Sequence, residues 1–473
     1  MPEIPFPTST EPSVNPSENG GRLINAYAER APEGSRGKIV YRRAPGLQSA
    51  FSAGLATPRG ALLVGSVLYI INGEKAYSVT KAGSTYTVLE LTGTIGGDGP
   101  VIMAHNMKAP TPDVLIVHSG GMSEISAGAI GDFTDADLPA ANSICFMDGF
   151  FFVTSADGRV FASDINDTGF NELNYATAEA SPDGLVRGVP IGRDLLLMGT
   201  STVEFWGNAG NAEGFPFSRG PVVRVGLAGA YAVAGFEPYF PGSLCWVGSD
   251  KAVYRLSGYS PQKISTPHIK RLINAVTNAA DLSASVYVAG GHPCWVLTGP
   301  TWTLVFDQST DKWHERASIG DVRWRATLGI EAFGEWLTFD RDSAAVFRIH
   351  DRERREAGNP LVWEVRSNQT HRHPGRAVVD KASFDFITGV GVDVGIDPIE
   401  TNPRVSVSWS NDGGRTFGNA LLRELGTQGE TRTIDVNRTG LTGREGRQWR
   451  LQVSDPVEVA FLGASQFIRD RAP

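Results

Sequence analysis

Three groupings in the 473-residue sequence have residue types that chemistry uses. Ser410-Asn411-Asp412-Gly413-Gly414-Arg415-Thr416-Phe417 sets a carboxylate and two hydroxyls around paired glycines. Such a set holds a turn: the Asp accepts backbone N–H groups, a Gly takes a positive φ, and the aromatic packs beneath. Ser410, Asp412, Gly414, Thr416 and Phe417 are its candidate residues, in a structural role. His371-Arg372-His373 offers two imidazoles to a metal, but no Cys or carboxylate stands at a tight ligand spacing, so a polar loop is the simpler reading. Glu74, Asp157 and Asp250 fall in or near tight turns, where turn chemistry accounts for them without an acid–base role. No Gly-x-Ser-x-Gly elbow marks a nucleophile, and no GxxxxGK[ST] loop cradles a phosphate. Cys145, Cys245 and Cys294 are odd in number and widely spaced among apolar neighbours, which reads as reduced core thiols. The expectation is a protein without catalytic, metal or cofactor site, and so not an enzyme.

The elements that would position these residues are short strands. The chain has 55 Gly and 28 Pro, with 41% hydrophobic and 20% charged residues. That composition excludes a mostly disordered chain, and the lack of long Gly- and Pro-free stretches excludes a helical bundle. The N-terminus lacks a basic start and an apolar core, and no run approaches the ~18 apolar residues of a membrane span, so synthesis in a cytosol-like setting is expected. A net charge of −8 argues against a surface that grips nucleic acid, because that affinity comes from clustered Lys and Arg. It is compatible with a negative surface that DNA passes.

From about Pro58 to His350 an apolar strand, a tight polar turn and a second strand keep returning. The first strands begin at Val67, Val114, Phe150, Leu195, Leu244, Cys294 and Glu335, 36 to 50 residues apart. A four-stranded antiparallel sheet with its turns needs about 40 to 45 residues, which is one propeller blade. The fold class expected is all-β: a propeller of six or seven blades over residues 46–357, then an antiparallel β-sandwich over 358–473. One helix is expected at His268 to Ala280, after Pro267. The charged run at 351–356 reads as a solvated exit from the repeats. Residues 1–45, rich in Pro, Ser and Glu, read as an extended arm ordered only by packing on this chain or on a neighbouring copy. Removing residues 1–20 is then expected to leave a folded monomer and weaken assembly.

The 410–417 segment resembles the Asp-box of sialidases and other propellers. It occurs once, outside the repeats, whereas a sialidase carries several and needs an arginine triad, a Tyr nucleophile and an acid Asp. Ser181-Pro182-Asp183-Gly184, Arg193-Asp194 and Ser201-Thr202-Val203-Glu204 resemble the core motif of the tail hub, or nozzle, proteins of short-tailed phages, also called packaged-DNA stabilisation proteins. Met103-Ala104-His105, Gly226 to Tyr231 and Pro45-Gly46 extend the likeness. The motif residues Ser181, Pro182, Asp183, Gly184, Arg193, Asp194, Ser201, Thr202 and Glu204 have an ordinary turn-and-strand explanation and are given no binding role. The resemblance implies a virion tail protein in a homo-hexameric ring below the portal and its adaptor ring. It would continue the channel for double-stranded DNA without sequence-specific binding, retain packaged DNA, and anchor a tail needle or plug and tailspikes or fibres. The alternative is a glycan-binding or sialidase-like propeller of the tail, supported by the single Asp-box and ten Trp residues.

Overall fold

The computed structural model describes residues 2–12, 20–178, 183–211, 214–371 and 375–471. Their strands build seven propeller blades and a two-sheet sandwich. Blade 1 runs from Pro58–Val64 to Thr85–Glu90, blade 2 from Ile102–His105 to Ala129–Phe133 and blade 3 from Ala141–Met147 to Phe170–Thr177. Blade 4 runs from Leu185–Ile191 to Phe217–Val223, blade 5 from Val233–Ala234 to Ser260–Lys263 and blade 6 from Ser283–Ala289 to Lys312–Glu315. In each, consecutive strands pair antiparallel as a meander, most of them joined by short hairpins. The seven repeats legible in the sequence are the second strands of the seven blades, and the count left open at six or seven is seven. Gly73 at φ +54° and Gly158 at φ +93° supply the positive φ that the Asn-Gly and Asp-Gly hairpins require.

Blade 7 contains Ala326–Ala332, Glu335–Asp340 and Ala345–His350, and takes its fourth strand from the other end of the propeller. Five strands precede blade 1: β1 (Glu3–Ile4), β2 (Arg22–Ile24), β3 (Ala26–Arg30), β4 (Ile39–Arg43) and β5 (Gly46–Ser52). Strand β5 pairs antiparallel with Ala345–His350, from Gly46 opposite His350 to Ser52 opposite Ala345. The inner strand of blade 7 meets the inner strand of blade 1, so the ring of sheets closes.

The residues expected as an arm, 1–45, supply β1 to β4 to the sandwich. The cause is an apolar pattern with a buried face: Leu23, Ala26, Ala28 and Val40 are buried, and Arg22, Ile24, Tyr27 and Glu29 between them are only partly so. One sandwich sheet joins β2 to Trp363–Arg366, Gln448–Val453, Arg404–Ser410 and Leu421–Glu424. The other joins β3 and β4 to Ala460–Arg471, Arg376–Phe386 and Ile434–Leu441, with β1 alongside Ala460–Arg471. Trp363, Phe384, Val405, Val407, Trp449 and Phe461 fill the space between them. Strand β2 also lies parallel to Lys312–Glu315, so one nine-stranded sheet runs from blade 6 into the sandwich.

Two smaller expectations need correction. The helix α1 spans Pro267–Asn274, capped by the Thr266 side chain on Ile269 N, and only a 3₁₀ turn at Ala279–Asp281 follows. The intervening Val276, Thr277 and Asn278 are weak helix formers. The run at 351–356 is stitched down rather than solvated: Arg354 pairs with Glu458, Arg355 with Glu400, and buried Glu356 accepts the Trp324 indole N–H at 2.6 Å.

Candidate functional site

Of the motif residues, Asp183, Gly184, Ser201 and Thr202 come together at one end of blade 4, whereas Arg193 and Asp194 lie at the opposite end of the strand Asp194–Gly199. The Asp183 carboxylate accepts the backbone N–H groups of Ser201 and Thr202 at 2.6 and 2.9 Å and the Ser201 hydroxyl at 2.7 Å. It thereby caps the turn between the second and third strands of blade 4. A Cβ on Gly199 would sit 2.6 Å from that carboxylate, and one on Gly184 would sit 2.5 Å from Ala156 O. The Thr200 N–H donates to Gly184 O at 3.1 Å, closing the knot. Glu204, buried, accepts the Trp206 indole N–H at 3.0 Å and pairs with Arg219 at 2.9 Å. Asp194 accepts the Tyr259 hydroxyl at 3.2 Å, while Arg193 sits exposed in the preceding hairpin. Ser181 and Pro182 lie outside the described residues.

The 410–417 segment forms the hydrogen bonds of an Asp-box turn. Asp412 Oδ1 accepts Ser410 Oγ at 2.6 Å and the N–H groups of Arg415 and Thr416 at 3.1 and 3.0 Å, and Oδ2 accepts Thr416 Oγ1 at 2.5 Å. Partial burial would raise its pKa, but the Ser410 and Thr416 hydrogen bonds outweigh it and hold the carboxyl at about 2. Gly414 takes φ +86°, and Phe417 lies between the guanidinium groups of Arg450 and Arg366. Its neighbours are thus other side chains of the sandwich. Asp157 and Asp250 cap their own hairpins through Arg159 N and Ala252 N. His371 is exposed, and Arg372 and His373 lie outside the described residues. Among the described residues no three His, Cys, Asp or Glu side chains are placed to hold a metal ion.

Two features escaped sequence reasoning because their parts lie far apart in the chain. The inner strands enclose an axial cavity of about 530 Å³ with mainly apolar walls, including Leu62, Ile102, Val233 and Ile330. Its arginines are taken up by backbone: Arg59 donates to the carbonyls of Gly99, Gly73 and Gly96 at 2.7, 2.9 and 3.1 Å, and Arg187 to Ala230 O at 2.7 Å.

The second feature is the joint between blade 6 and the sandwich. His292 Nδ1 is 2.8 Å from Asp307 Oδ2 within the blade, and its Nε2 is 3.5 Å from Glu29 Oε2 on β3. Tyr27 packs on the ring with centroids 5.0 Å apart, and Arg43, Asp351, Cys294 and His314 line the same small cavity. The Asp307 hydrogen bond raises the His292 pKa despite burial, whereas burial pushes His314 down to about 3. A raised His pKa stabilises the fold fully below the unfolded value of 6.5 and loses that contribution as pH rises through the folded value. Between about pH 6 and pH 8 the urea midpoint should therefore fall in the native chain more than in His292→Asn. Equal slopes in the two proteins would refute a charged His292 at the joint.

Residues 23–352 match the family profile described as bacteriophage P22 Gp10, beta-propeller. The chain belongs to this family. The match takes in all seven blades together with β3 to β5 and most of β2. Membership makes the chain a structural protein of the phage tail, and hence of the virion. It matches no curated protein sequence. Similar solved structures include the WD40 propeller domain of Doa1, at 10% identity and TM-score 0.42, over 64% of this chain and 97% of that one. PorZ from the type-IX secretion system of Porphyromonas gingivalis aligns at 10% identity and TM-score 0.39, over 71% and 44%. BamB from Moraxella catarrhalis aligns at 11% and 0.38, over 69% and 97%. The Gp10 assignment rests on the profile match. No helix among the described residues is long and apolar enough to cross a membrane.

Proposed function

We propose that the chain is the hub, or nozzle, of a short-tailed phage tail: one copy in a ring, six in number, beneath the portal and its adaptor. The ring continues the DNA channel, retains packaged DNA, and carries a needle or plug and spikes or fibres. It works by shape and stiffness rather than by catalysis. The observation that carries the reading is the nine-stranded sheet, in a chain of this family, that fuses blade 6 to the sandwich through β2. Force applied to either unit passes to the other through backbone hydrogen bonds, and closure leaves the disc without a free seam. The face toward DNA is acidic or neutral, because a basic lining would hold phosphates and slow their exit.

Sedimentation velocity and electron microscopy of the purified 50.7 kDa chain, with and without its adaptor ring, test the reading. A closed ring whose channel is not lined mainly by Lys and Arg is expected. A chain that stays monomeric in both settings, or that binds or cleaves host glycan, refutes it in favour of the glycan-acting alternative.

A further inference from the structure

Charge is unevenly spread round the disc. Residues 102–177, which are blades 2 and 3, hold ten acidic and two basic residues, a net charge of −8 that equals that of the entire chain. Residues 217–274, from the outer strand of blade 4 through blade 5 to α1, hold seven basic and two acidic residues, a net charge of +5. Both sectors also expose apolar side chains. Met107, Ile165 and Leu173 are 74%, 73% and 75% exposed, and the Met107 N–H donates to Asn166 Oδ1 at 2.8 Å, which sets Met107 beside Ile165. Asp164, Asp167 and Glu172, next to Ile165 and Leu173 in the sequence, are exposed as well. In the basic sector Tyr259 and Val222 are exposed, with Arg219, Arg224 and Lys263 also exposed there. An apolar centre rimmed by charge is the anatomy of an interface, and like charges crowded on one sector disfavour the free chain until an opposite potential meets them.

We infer that the acidic sector of blades 2 and 3 docks on the basic sector formed by blade 5 and the outer strand of blade 4 in a second copy of this chain. Complementary potentials select that partner and fix its register. Because the two patches differ, the contact is head-to-tail. They lie about two and a half blades apart, roughly 130° round the disc, so successive copies turn and close a ring instead of extending as a straight filament. The inference rests on the ring reading above and names the surfaces that build it.

Two variants test it. Asp132→Lys, Asp137→Lys, Asp164→Lys, Asp167→Lys and Glu172→Lys together give the first sector a net positive charge, and Arg224→Glu, Lys251→Glu and Lys263→Glu give the second a net negative one. Each variant alone presents like charges at both sectors, so assembly should require at least about tenfold more protein by sedimentation velocity. An equimolar mixture pairs opposite charges at every junction and should assemble again. Should either variant fail to fold, the native chain decides: raising salt from about 0.05 M to about 0.5 M should dissociate its rings. Variants that assemble as the native chain does, a mixture that rescues nothing, or rings indifferent to salt would overturn this interface and leave the ring standing. A native chain that never assembles removes the ring reading, and the interface with it.

Discussion

A chain that starts at residue 53, without β1 to β5, should fail to reach a cooperatively folded state, and Leu47→Asp alone should come close to the same result. Among the described residues, strand β5 is the only partner of Ala345–His350 on its outer side, so its loss bares a row of N–H and C=O groups in blade 7. It also tethers blade 1 to blade 7 by the few residues between Ser52 and Pro58. Leu47 is fully buried among Tyr287, Val296, Phe347 and Ile349, and Phe51 packs on Tyr86 with ring centroids 4.7 Å apart. Leu47→Ala should cost about 3 kcal/mol as a cavity, and Leu47→Asp more, since it sets a carboxylate among apolar side chains. Near-ultraviolet circular dichroism and urea titration give the answer. A truncated chain with a native spectrum and a sharp transition would show that seven sheets hold together without the closing strand.

Why β5 escaped a sequence reading that found all seven blades is a matter of distance along the chain. A hairpin announces itself within ten residues: Val67 to Ile71 alternates against Ala76 to Val79 across Asn72-Gly73, and the turn chemistry stands between them. Strand β5 pairs with residues about 300 positions away, and nothing in Gly46-Leu47-Gln48-Ser49 names that partner. The same holds for β1 to β4. Their apolar residues are few and interleaved with Pro, Ser and Glu, which is the composition of an arm, and only the waiting sandwich face turns Ile4, Leu23 and Ala26 into core. The candidate turns were legible for the opposite reason. Asp412 and its donors lie within four residues, and so does the Asp157 turn. Asp183 sits between these cases: its turn at 199–202 lies 18 positions on, recognisable by family likeness and not by local rule. The charged run at 351–356 misled because periodicity shows that charges are exposed on every face of an isolated helix or strand, and says nothing of Glu458, Glu400 or Trp324 arriving from elsewhere.

Glu315→Ala should destabilise the protein by about 3 to 5 kcal/mol, far beyond an exposed pair. Glu315 ends the outer strand of blade 6, where the sheet crosses by a parallel bridge to Ile24 of β2. Its carboxylate, buried, accepts Arg22 Nε at 3.0 Å, the Arg22 Nη2 group and the Thr10 hydroxyl at 2.5 Å, so one side chain fastens two parts of the N-terminal segment to the propeller. Alanine there leaves the Arg22 guanidinium largely enclosed with its main counterion gone. Replacing both partners by Leu removes the stranded charge, and the double variant should be markedly more stable than the sum of the two single changes implies. Burial alone would raise the Glu315 pKa, but the Arg22 charge and the hydrogen bonds from Arg22 and Thr10 outweigh it and hold it below its usual 4.5. The contribution is thus present above pH 4.5 and lost as pH falls through the lower folded value, and Glu315→Gln should flatten that acid limb. This also changes what the first twenty residues are expected to do. Ile4 pairs with Ala464, Phe6 packs on Phe461 and Thr10 binds Glu315 within one chain, so deleting residues 1–20 should lower the urea midpoint of the monomer itself before any effect on assembly. A single variant that loses less than about 1 kcal/mol, or a double variant no better than additive, would mean that the backbone bridge alone carries load between blade 6 and the sandwich.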